Sequence, residues 1–261
     1  LTLSPLEKLV GQVLPLVILA LFGELILPLS VFSLQVDQWP FWAVVSLTIF
    51  FIVLVTNSYN LIDGLDCLAG SIGMLVIIFF GIWFYVIGKP ESSLIALSVV
   101  GALLAFIFFN WEPSKIFMGD TGALLVGLII SYFCVQFMIT NHAVETRHIA
   151  KFNGTLATLS AVMIVPFFDT CRVVIIRLAK GTSPLKGDKN HIHHQLLRLG
   201  LSHSKSVIVL LTMNMVFILL AVLLRHQSEW LAMSVIVGLC LLINFALIRL
   251  QKNAKGNLVS L

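Results

Sequence analysis

The sequence predicts an all-α protein that crosses a membrane about eight times. Hydrophobic residues make up 59% of its 261 residues, charged residues make up only 11%, and the mean hydropathy is +1.05. A soluble domain carries about 25% charged residues, so this composition excludes a water-soluble globule. The apolar segments also run well beyond the roughly 10 residues of a transmembrane strand, which makes the spans helices rather than barrel strands.

Each predicted span is an apolar segment long enough, at a rise of about 1.5 Å per residue, to cross a hydrocarbon layer about 30 Å thick. Pro15, Pro28 and Pro166 lie inside such segments and are expected to be kinks that neighbouring spans can satisfy. Residues 31–40 follow the first span and alternate in polarity, which is typical of a short hairpin or interfacial strand. In order, the spans cover about residues 9–32, 41–57, 71–88, 93–109, 122–140, 154–179, 207–225 and 230–249.

The basic residues indicate the orientation of the chain rather than a nucleic-acid partner. The net charge is +4 and the pI is near 9.0, but Lys and Arg lie between the apolar segments. Of the 16 basic residues, all but four fall on one side, which is therefore predicted to be cytoplasmic. The four on the other side are Lys89, Arg147, Lys151 and Arg225.

The first polar cluster follows the second span, in the segment NSYNLIDGLDCLAG. Two amides and two carboxylates at steps of three share one side of a helix end, and Gly64 allows close backbone approach. Such a set suits a metal ion with phosphates, or a nucleotide held through its base and sugar. Helix capping explains one or two of the four residues, so a binding function is favoured. They are Asn57, Asn60, Asp63 and Asp66.

The second cluster follows the fourth span, in the segment NWEPSKIFMGDTG, which begins at Asn110. Pro113 makes a turn, and two glycines bracket Asp120 at the start of the fifth span. Free backbone amides and the positive end of a helix favour an anionic partner there, either Asp120 itself or a ligand phosphate. Plain N-capping by Asp120 is the alternative. A position on the same face as the first cluster favours one shared site.

The third cluster is the basic loop between the sixth and seventh spans, which contains KGDKNHIHH. Cationic and imidazole donors could clamp a diphosphate there. A polybasic strip against anionic lipid headgroups would explain the lysines but not His191, His193 and His194. A zinc site is disfavoured because no matching Cys or His group lies on that face. Just before this loop, Asp169 and Arg172 are three residues apart and fit a helix-surface ion pair.

Together these segments resemble the polyprenyl-phosphate N-acetylhexosamine-1-phosphate transferases. NSYNLIDGLDCLAGS is similar to the family motif N-x-x-N-x-x-D-G-x-D-G-L-A, and NWEPSKIFMGDTGALLVG to N-x-x-P-x-x-x-F-M-G-D-x-G. The HIHH segment resembles the branch that uses simple UDP-N-acetylhexosamines, because His194 is followed by Gln195 rather than ending in Glu. The resemblance covers essentially the whole chain and implies one integral membrane transferase domain over residues 1–261.

The resemblance implies transfer of N-acetylhexosamine 1-phosphate, most simply N-acetylglucosamine 1-phosphate, from a UDP-sugar to undecaprenyl phosphate with release of UMP. This would be the first membrane step of a cell-envelope polysaccharide such as a lipopolysaccharide O-antigen, on the cytoplasmic face of the bacterial inner membrane. The expected cofactor is Mg²⁺, or Mn²⁺ in its place. The partners would be both substrates and the bilayer, and the sequence leaves a homodimer open.

The same resemblance assigns roles to individual residues. Asp63 and Asp120 would be catalytic, and Asp120 with Asn60 would hold the metal ion. The substrates would be bound by Asn57, Asn60, Asp66, Asn110, Arg172, His191, His193 and His194.

One departure from the family is large. Its members carry an adjacent Asp-Asp pair upstream of a segment like LTLSPLEKLVGQ, and this sequence has no such pair. We therefore expect roughly three further spans before Leu1. A truncated, catalytically inactive paralogue that acts as a binding or assembly partner stays an alternative. A transporter is disfavoured because the carboxylates cluster at one face rather than at the midplane. Smaller departures are Cys67 in place of Gly and Ala123 in place of Ser.

Overall fold

The computed structural model describes residues 5–21, 26–28, 39–182 and 191–259. Within these ranges every regular element is a helix, and turns and loops connect them. The helices are α1 (Pro5–Leu21), α2 (Phe41–Asn60), α3 (Leu68–Val86), α4 (Pro90–Asn110), α5 (Gly119–Ala143), α6 (Thr155–Val162), α7 (Ile164–Ala179), α8 (Ile192–Arg198), α9 (His203–Leu223) and α10 (Glu229–Val259).

The predicted all-α, multi-span architecture is confirmed. By length and composition, six helices can cross a membrane, and the bent pair α6–α7 would make a seventh span. The six are α2, α3, α4, α5, α9 and α10. The predicted first span is described only as α1 and residues 26–28, and the predicted hairpin at 31–40 lies outside the described residues except for its last two.

The core of the bundle lies where α3 packs between α4, α5 and α9. Aromatic side chains fill the α3–α5 interface, and most of them pack tilted or edge to face, the arrangement favoured by the ring quadrupole. Trp83 also donates its indole N–H to the carbonyl of Ala150, 2.8 Å away, which ties α3 to the loop after α5. The fully or nearly fully buried rings of this cluster are Phe80, Trp83, Phe84, Phe133 and Phe137.

Helices α2 and α5 approach closely at Gly127. A Cβ atom at this position would lie 2.9 Å from the carbonyl oxygen of Thr56 and 3.1 Å from its Cα, so only glycine fits. Beside this contact, the hydroxyls of Thr56 and Ser131 hydrogen-bond at 3.0 Å. Small residues with a buried polar pair are typical of tight helix contacts in membranes. The contact holds the end of α2 beside the start of α5.

The span predicted for residues 154–179 is not one continuous helix, because the chain breaks at Met163 and bends by 88° between α6 and α7. Pro166 explains the break: it has no N–H to donate to the carbonyl of Val162, four residues earlier. Asn214 on α9 replaces the lost bond, donating its Nδ2 to Val162 O at 3.1 Å and accepting Val165 N–H at 3.4 Å. The expectation that a neighbouring span would satisfy the Pro166 kink is thus confirmed.

The other end of α6 is held by α10. The carboxylate of Glu229 accepts the backbone N–H groups of Leu156 and Ala157, at 3.1 and 2.6 Å. These two amides belong to the first helical turn, where donors have no partner within the helix and a negative charge is favourable. Side chains from α9 and α10 therefore fix both ends of this short helix, and with it the direction of α7.

Replacing Asn214 by Leu should lower the stability of the folded protein by about 1–3 kcal/mol for each backbone group left without a partner. Asn214 is fully buried, so water cannot take over its two bonds. The measurement is the Tm of the protein in detergent. Met215→Leu is the matched control, because its side chain is half exposed on the same helix and should leave the Tm unchanged. Equal Tm values for both variants would contradict the role of Asn214.

Candidate functional site

The three polar clusters predicted from the sequence meet at one end of the helical bundle. The first cluster occupies the end of α2 and the turn over residues 61–67, and the second leads into the start of α5. The α2–α5 contact at Gly127 holds these two together. The third cluster contributes His191 and α8, while its residues 186–190 lie outside the described part of the chain.

Three carboxylates form the centre of this site. Burial raises the pKa of Asp63 to about 6, and the negative charges of Asp120 and then Asp66 add to the rise. Asp63 and Asp66 are half-buried, whereas Asp120 is exposed in the first turn of α5. Gly119 allows this placement, since its φ of +64° is the left-handed conformation that glycine adopts without strain. Like charges gathered at an open surface favour a cationic or cation-bridged ligand.

The described residues of this site do not form an all-protein metal cage. Among the described residues, no three His, Cys, Asp or Glu side chains are grouped closely enough to hold a metal ion alone. Mg²⁺ usually binds through one or two carboxylates plus substrate phosphates, so such a cage is not required. Of the predicted metal ligands, Asn60 is the last residue of α2 and Asp120 the second of α5.

In protein stripped of divalent cations, stability should fall as the pH rises from about 4 to about 6. The unfolded chain loses the Asp63 proton near pH 3.8, but the folded protein keeps it up to about pH 6. Folding is therefore favoured below this window and penalised above it, where Asp63 ionises beside Asp120. Tm values measured across this range with EDTA present test the point. Asp63→Asn should flatten the curve, and an unchanged curve would contradict it.

Asn57 and Asn110 hold the backbone around the site. Asn57 donates its Nδ2 to Gln12 of α1 at 2.9 Å and to a carbonyl of its own helix. The nearly buried Asn110 accepts the backbone N–H of Cys67 at 2.8 Å and donates to the carbonyl of Ile116 at 2.7 Å. Asn110 thus joins the first polar cluster to the second, a positioning contribution that the sequence did not reveal.

Cys67 shows why the family motif has glycine at this point. Its φ is +65°, a left-handed conformation that costs an ordinary residue about 1–2 kcal/mol. The amide of Cys67 nevertheless stays bonded to Asn110, so the turn before α3 keeps its shape. The departure from the motif therefore lies at a position where glycine would relieve strain without changing the turn.

The histidine segment packs directly on the first polar cluster. A Cβ atom on Gly64 would lie 2.5 Å from Nε2 of His193, so the imidazole rests against the backbone next to Asp63. His191 stacks on His193 with ring centroids 5.7 Å apart, and the ring centroid of His194 lies 4.3 Å from that of His193. Burial lowers the pKa of His193 to about 4, with charge on His194 adding to the effect, so its ring is neutral near pH 7.

His193 also presents an unsatisfied group inside the site. Its Nδ1 is buried and has no hydrogen-bond partner among the described residues. A buried polar atom without a partner is costly, and such atoms in native proteins usually await water or a ligand. This nitrogen therefore supports the prediction that the histidine segment binds substrate.

The ion pair expected between Asp169 and Arg172 is wrong. Asp169 is fully buried on α7, and its two carboxylate oxygens contact Nδ1 of His191 at 2.8 Å and the N–H of Ile192 at 2.7 Å. Arg172 instead donates its Nε to Asn244 of α10, 3.1 Å away. Local spacing suggested a surface pair, but Asp169 is buried and contacts the start of α8. A carboxylate within an apolar segment was the available signal for a more than local role.

Glu112 is a second residue whose contribution the sequence did not indicate. Its carboxylate accepts the backbone N–H of Ser204 at 3.2 Å and also the hydroxyl of the same residue. Ser204 lies in the first turn of α9, where N–H donors have no partner within the helix. This exposed contact fastens the second polar cluster to the helix that follows the histidine segment.

Comparison with known proteins identifies the family of this chain. Residues 1–138 match the model of glycosyl transferase family 4. The chain is 33% identical over 195 residues to a probable undecaprenyl-phosphate N-acetylglucosaminyl 1-phosphate transferase of Bacillus subtilis, covering 75% of this chain and 52% of that protein. It is 32% identical over 223 residues to a decaprenyl-phosphate N-acetylglucosaminephosphotransferase of Mycolicibacterium smegmatis, covering 80% and 54%.

The chain is also similar to a relative that is named for a different transferase activity. A phospho-N-acetylmuramoyl-pentapeptide-transferase of Clostridium perfringens is 34% identical over 172 residues, covering 66% of this chain and 50% of that protein. The chain spans about half the length of these curated relatives. The match of the family model to more than half of the residues, together with these identities, shows that the chain belongs to glycosyl transferase family 4.

Proposed function

We propose that this protein transfers N-acetylglucosamine 1-phosphate from UDP-N-acetylglucosamine to undecaprenyl phosphate and releases UMP. The observation that carries the proposal is the gathering of Asp63, Asp66 and Asp120 under the histidine segment at one end of a membrane-spanning bundle. A nucleotide sugar is polar and a polyprenyl phosphate is a lipid, so their phosphates would meet at such an end. The activities for which the Bacillus and Mycolicibacterium relatives are named support the polyprenyl phosphate as acceptor and the sugar phosphate as the transferred group.

The reaction is a displacement at phosphorus. An oxygen of the acceptor phosphate forms a bond to the β-phosphorus of the donor, and the bond from that phosphorus to the bridging oxygen breaks. The bridging oxygen leaves with UMP. A phosphate monoester has a second pKa near 6, so most acceptor molecules are already ionised at about pH 7 and no strong base is needed.

Some residues of the site would bind the metal ion, and others would position the substrates. Asp120 and Asn60 would hold Mg²⁺, or Mn²⁺ in its place, and a bound divalent cation would neutralise the charge of the diphosphate. Asp63, beside Asp120, would act at the reacting phosphates, and Asp66 would bind the nucleotide sugar. Arg172 and the three histidines His191, His193 and His194 would cover the donor.

We further propose that the site faces the cytoplasm across a bacterial inner membrane. The basic residues of the segments flanking the site outnumber those of the opposite loops, in line with the positive-inside rule. UDP-sugars are charged metabolites of the cytoplasm that do not cross a bilayer unaided, so a cytoplasmic site would have direct access to them. The product would then begin a polysaccharide of the cell envelope.

The proposal is tested by reconstituting the protein, expressed from its natural gene, into phosphatidylglycerol–phosphatidylethanolamine vesicles. With UDP-N-acetylglucosamine, undecaprenyl phosphate and Mg²⁺, we expect UMP and the lipid-linked sugar diphosphate in equal amounts. EDTA should stop the reaction, and Mn²⁺ should restore part of it. UDP-N-acetylmuramoyl-pentapeptide should be a poor donor, since His194 is followed by Gln195.

Two outcomes would contradict the proposal. If product forms only with the pentapeptide donor, the protein would have the phospho-N-acetylmuramoyl-pentapeptide-transferase activity for which the Clostridium relative is named. Absence of UMP with every donor and both metal ions, from protein that is folded by its Tm, would support the alternative of a non-catalytic binding or assembly partner.

A further inference from the structure

The buried carboxylate of Asp169 has a function that the reaction scheme does not yet use. This side chain is fully buried in α7, within a segment that is otherwise largely apolar. A buried carboxylate is costly unless it is paired and hydrogen-bonded. Both of its oxygens are engaged, one with His191 and the other with the N–H of Ile192, at 2.8 and 2.7 Å. The carboxylate is therefore directed at the first residues of the histidine segment.

The contact with His191 decides which ring nitrogen is available to a ligand. A carboxylate accepts hydrogen bonds, so the Nδ1 that faces Asp169 carries the proton. Nε2 is then the nitrogen left for substrate. The second bond, from Ile192 N–H, holds the backbone at the start of α8 against the same carboxylate. The position of the His191 ring is therefore fixed as well as its orientation.

A chain of contacts connects this pair to the carboxylate site. The rings of His191 and His193 are stacked with an angle of only 6° between their planes. His193 in turn rests on Gly64, the neighbour of Asp63 in sequence. Any rotation of His191 would therefore disturb a stack that ends beside the reacting phosphates.

We propose that Asp169 is a positioning residue for the donor: it holds His191 with Nδ1 toward α7 and presents Nε2, the acceptor nitrogen of this tautomer, to a hydroxyl or amide N–H of the nucleotide sugar. This inference rests on the proposed function. Asp169 touches neither substrate and acts through His191 alone.

The test is a double-mutant cycle of Asp169→Asn and His191→Gln in the reconstituted protein. Asparagine has the shape of aspartate and keeps an oxygen that can accept the Ile192 N–H. Its other polar atom is an amide nitrogen, which donates and therefore cannot accept a hydrogen bond from Nδ1 of His191. We expect Asp169→Asn to leave the Tm within about 4 °C of wild type and to lower kcat roughly 10–100-fold, as loss of such supporting contacts does elsewhere. The KM for undecaprenyl phosphate should not change.

The decisive result is the double variant. If Asp169 acts through His191, adding Asp169→Asn to His191→Gln should lower activity no further than about twofold. If Asp169 only stabilises α8, the two losses should multiply, and this would overturn the inference. Wild-type kcat in Asp169→Asn would overturn it as well. If the asparagine variant fails to fold, Asp169→Glu takes its place, because it keeps the charge but displaces the carboxylate by one methylene.

Donor binding separates this inference from the proposed reaction. Binding of UDP-N-acetylglucosamine is measured by calorimetry in wild type and in the same variants. If wild type binds the donor but releases no UMP, the proposed reaction fails, while the binding cycle still tests Asp169. If wild type does not bind the donor at all, both the reaction and the positioning inference are rejected.

Discussion

Replacing Asp120 by Asn is expected to reduce kcat by more than roughly 100-fold at saturating Mg²⁺, because loss of groups that merely support a metal ligand already costs about 10–100-fold. Asparagine keeps the size of the side chain and removes its charge. Asp120 sits in the first turn of α5 and its charge reaches Asp63, so the substitution removes a central part of the negative field of the site. UMP release in vesicles is the measurement.

Glu145→Gln is the matched control for this prediction. Glu145 is an exposed carboxylate in the loop between α5 and α6, at the opposite end of α5 from Asp120. It loses the same charge but should keep wild-type turnover. Wild-type turnover in Asp120→Asn would show that Asp120 is not a metal ligand. A reduced rate that a higher Mg²⁺ concentration restores would show that Asp120 contributes to metal affinity alone.

Replacing Gly127 by Ala should both destabilise the protein, by about 1–3 kcal/mol, and reduce turnover. The added Cβ would lie 2.9 Å from the carbonyl oxygen of Thr56, which is backbone and cannot rotate away. Helices α2 and α5 must therefore separate, and with them Asn60 and Asp63 move away from Asp120. A shift of about 1 Å in a reacting geometry can cost roughly 100-fold in rate.

Gly101→Ala distinguishes the contact from the general effect of adding a methyl group. Gly101 lies within α4, and nothing lies within 4 Å of a Cβ built there. Alanine has a higher helix propensity than glycine, so this control should be neutral or slightly stabilising. Tm and UMP release are measured for both variants. A Gly127→Ala protein as stable and active as the control would show that the α2–α5 contact does not hold the site together.

The residues of the site were more accessible to sequence reasoning than their arrangement. Asp63, Asp66 and Asp120 stand out because carboxylates at the edge of an apolar span are costly unless they are paired or hydrated. Their mutual repulsion could be recognised only in the tertiary structure, since Asp120 is 57 residues from Asp63 in the sequence and the folding of the chain brings the two close. Asn110 was expected to bind substrate, and the structure shows its side chain bonded to two backbone groups.

The helical type of the spans and their approximate number follow from the sequence alone, because crossing a hydrocarbon layer requires long apolar helices whatever their neighbours are. Hydropathy also places the polar clusters at one end of the bundle, since each span reverses the direction of the chain. Hydropathy does not predict the rotation of each helix about its axis or the bend at Met163. Those depend on contacts between distant residues, such as Asn214 with Val162 and Asp169 with His191, and they turn a set of polar residues into a site with defined geometry.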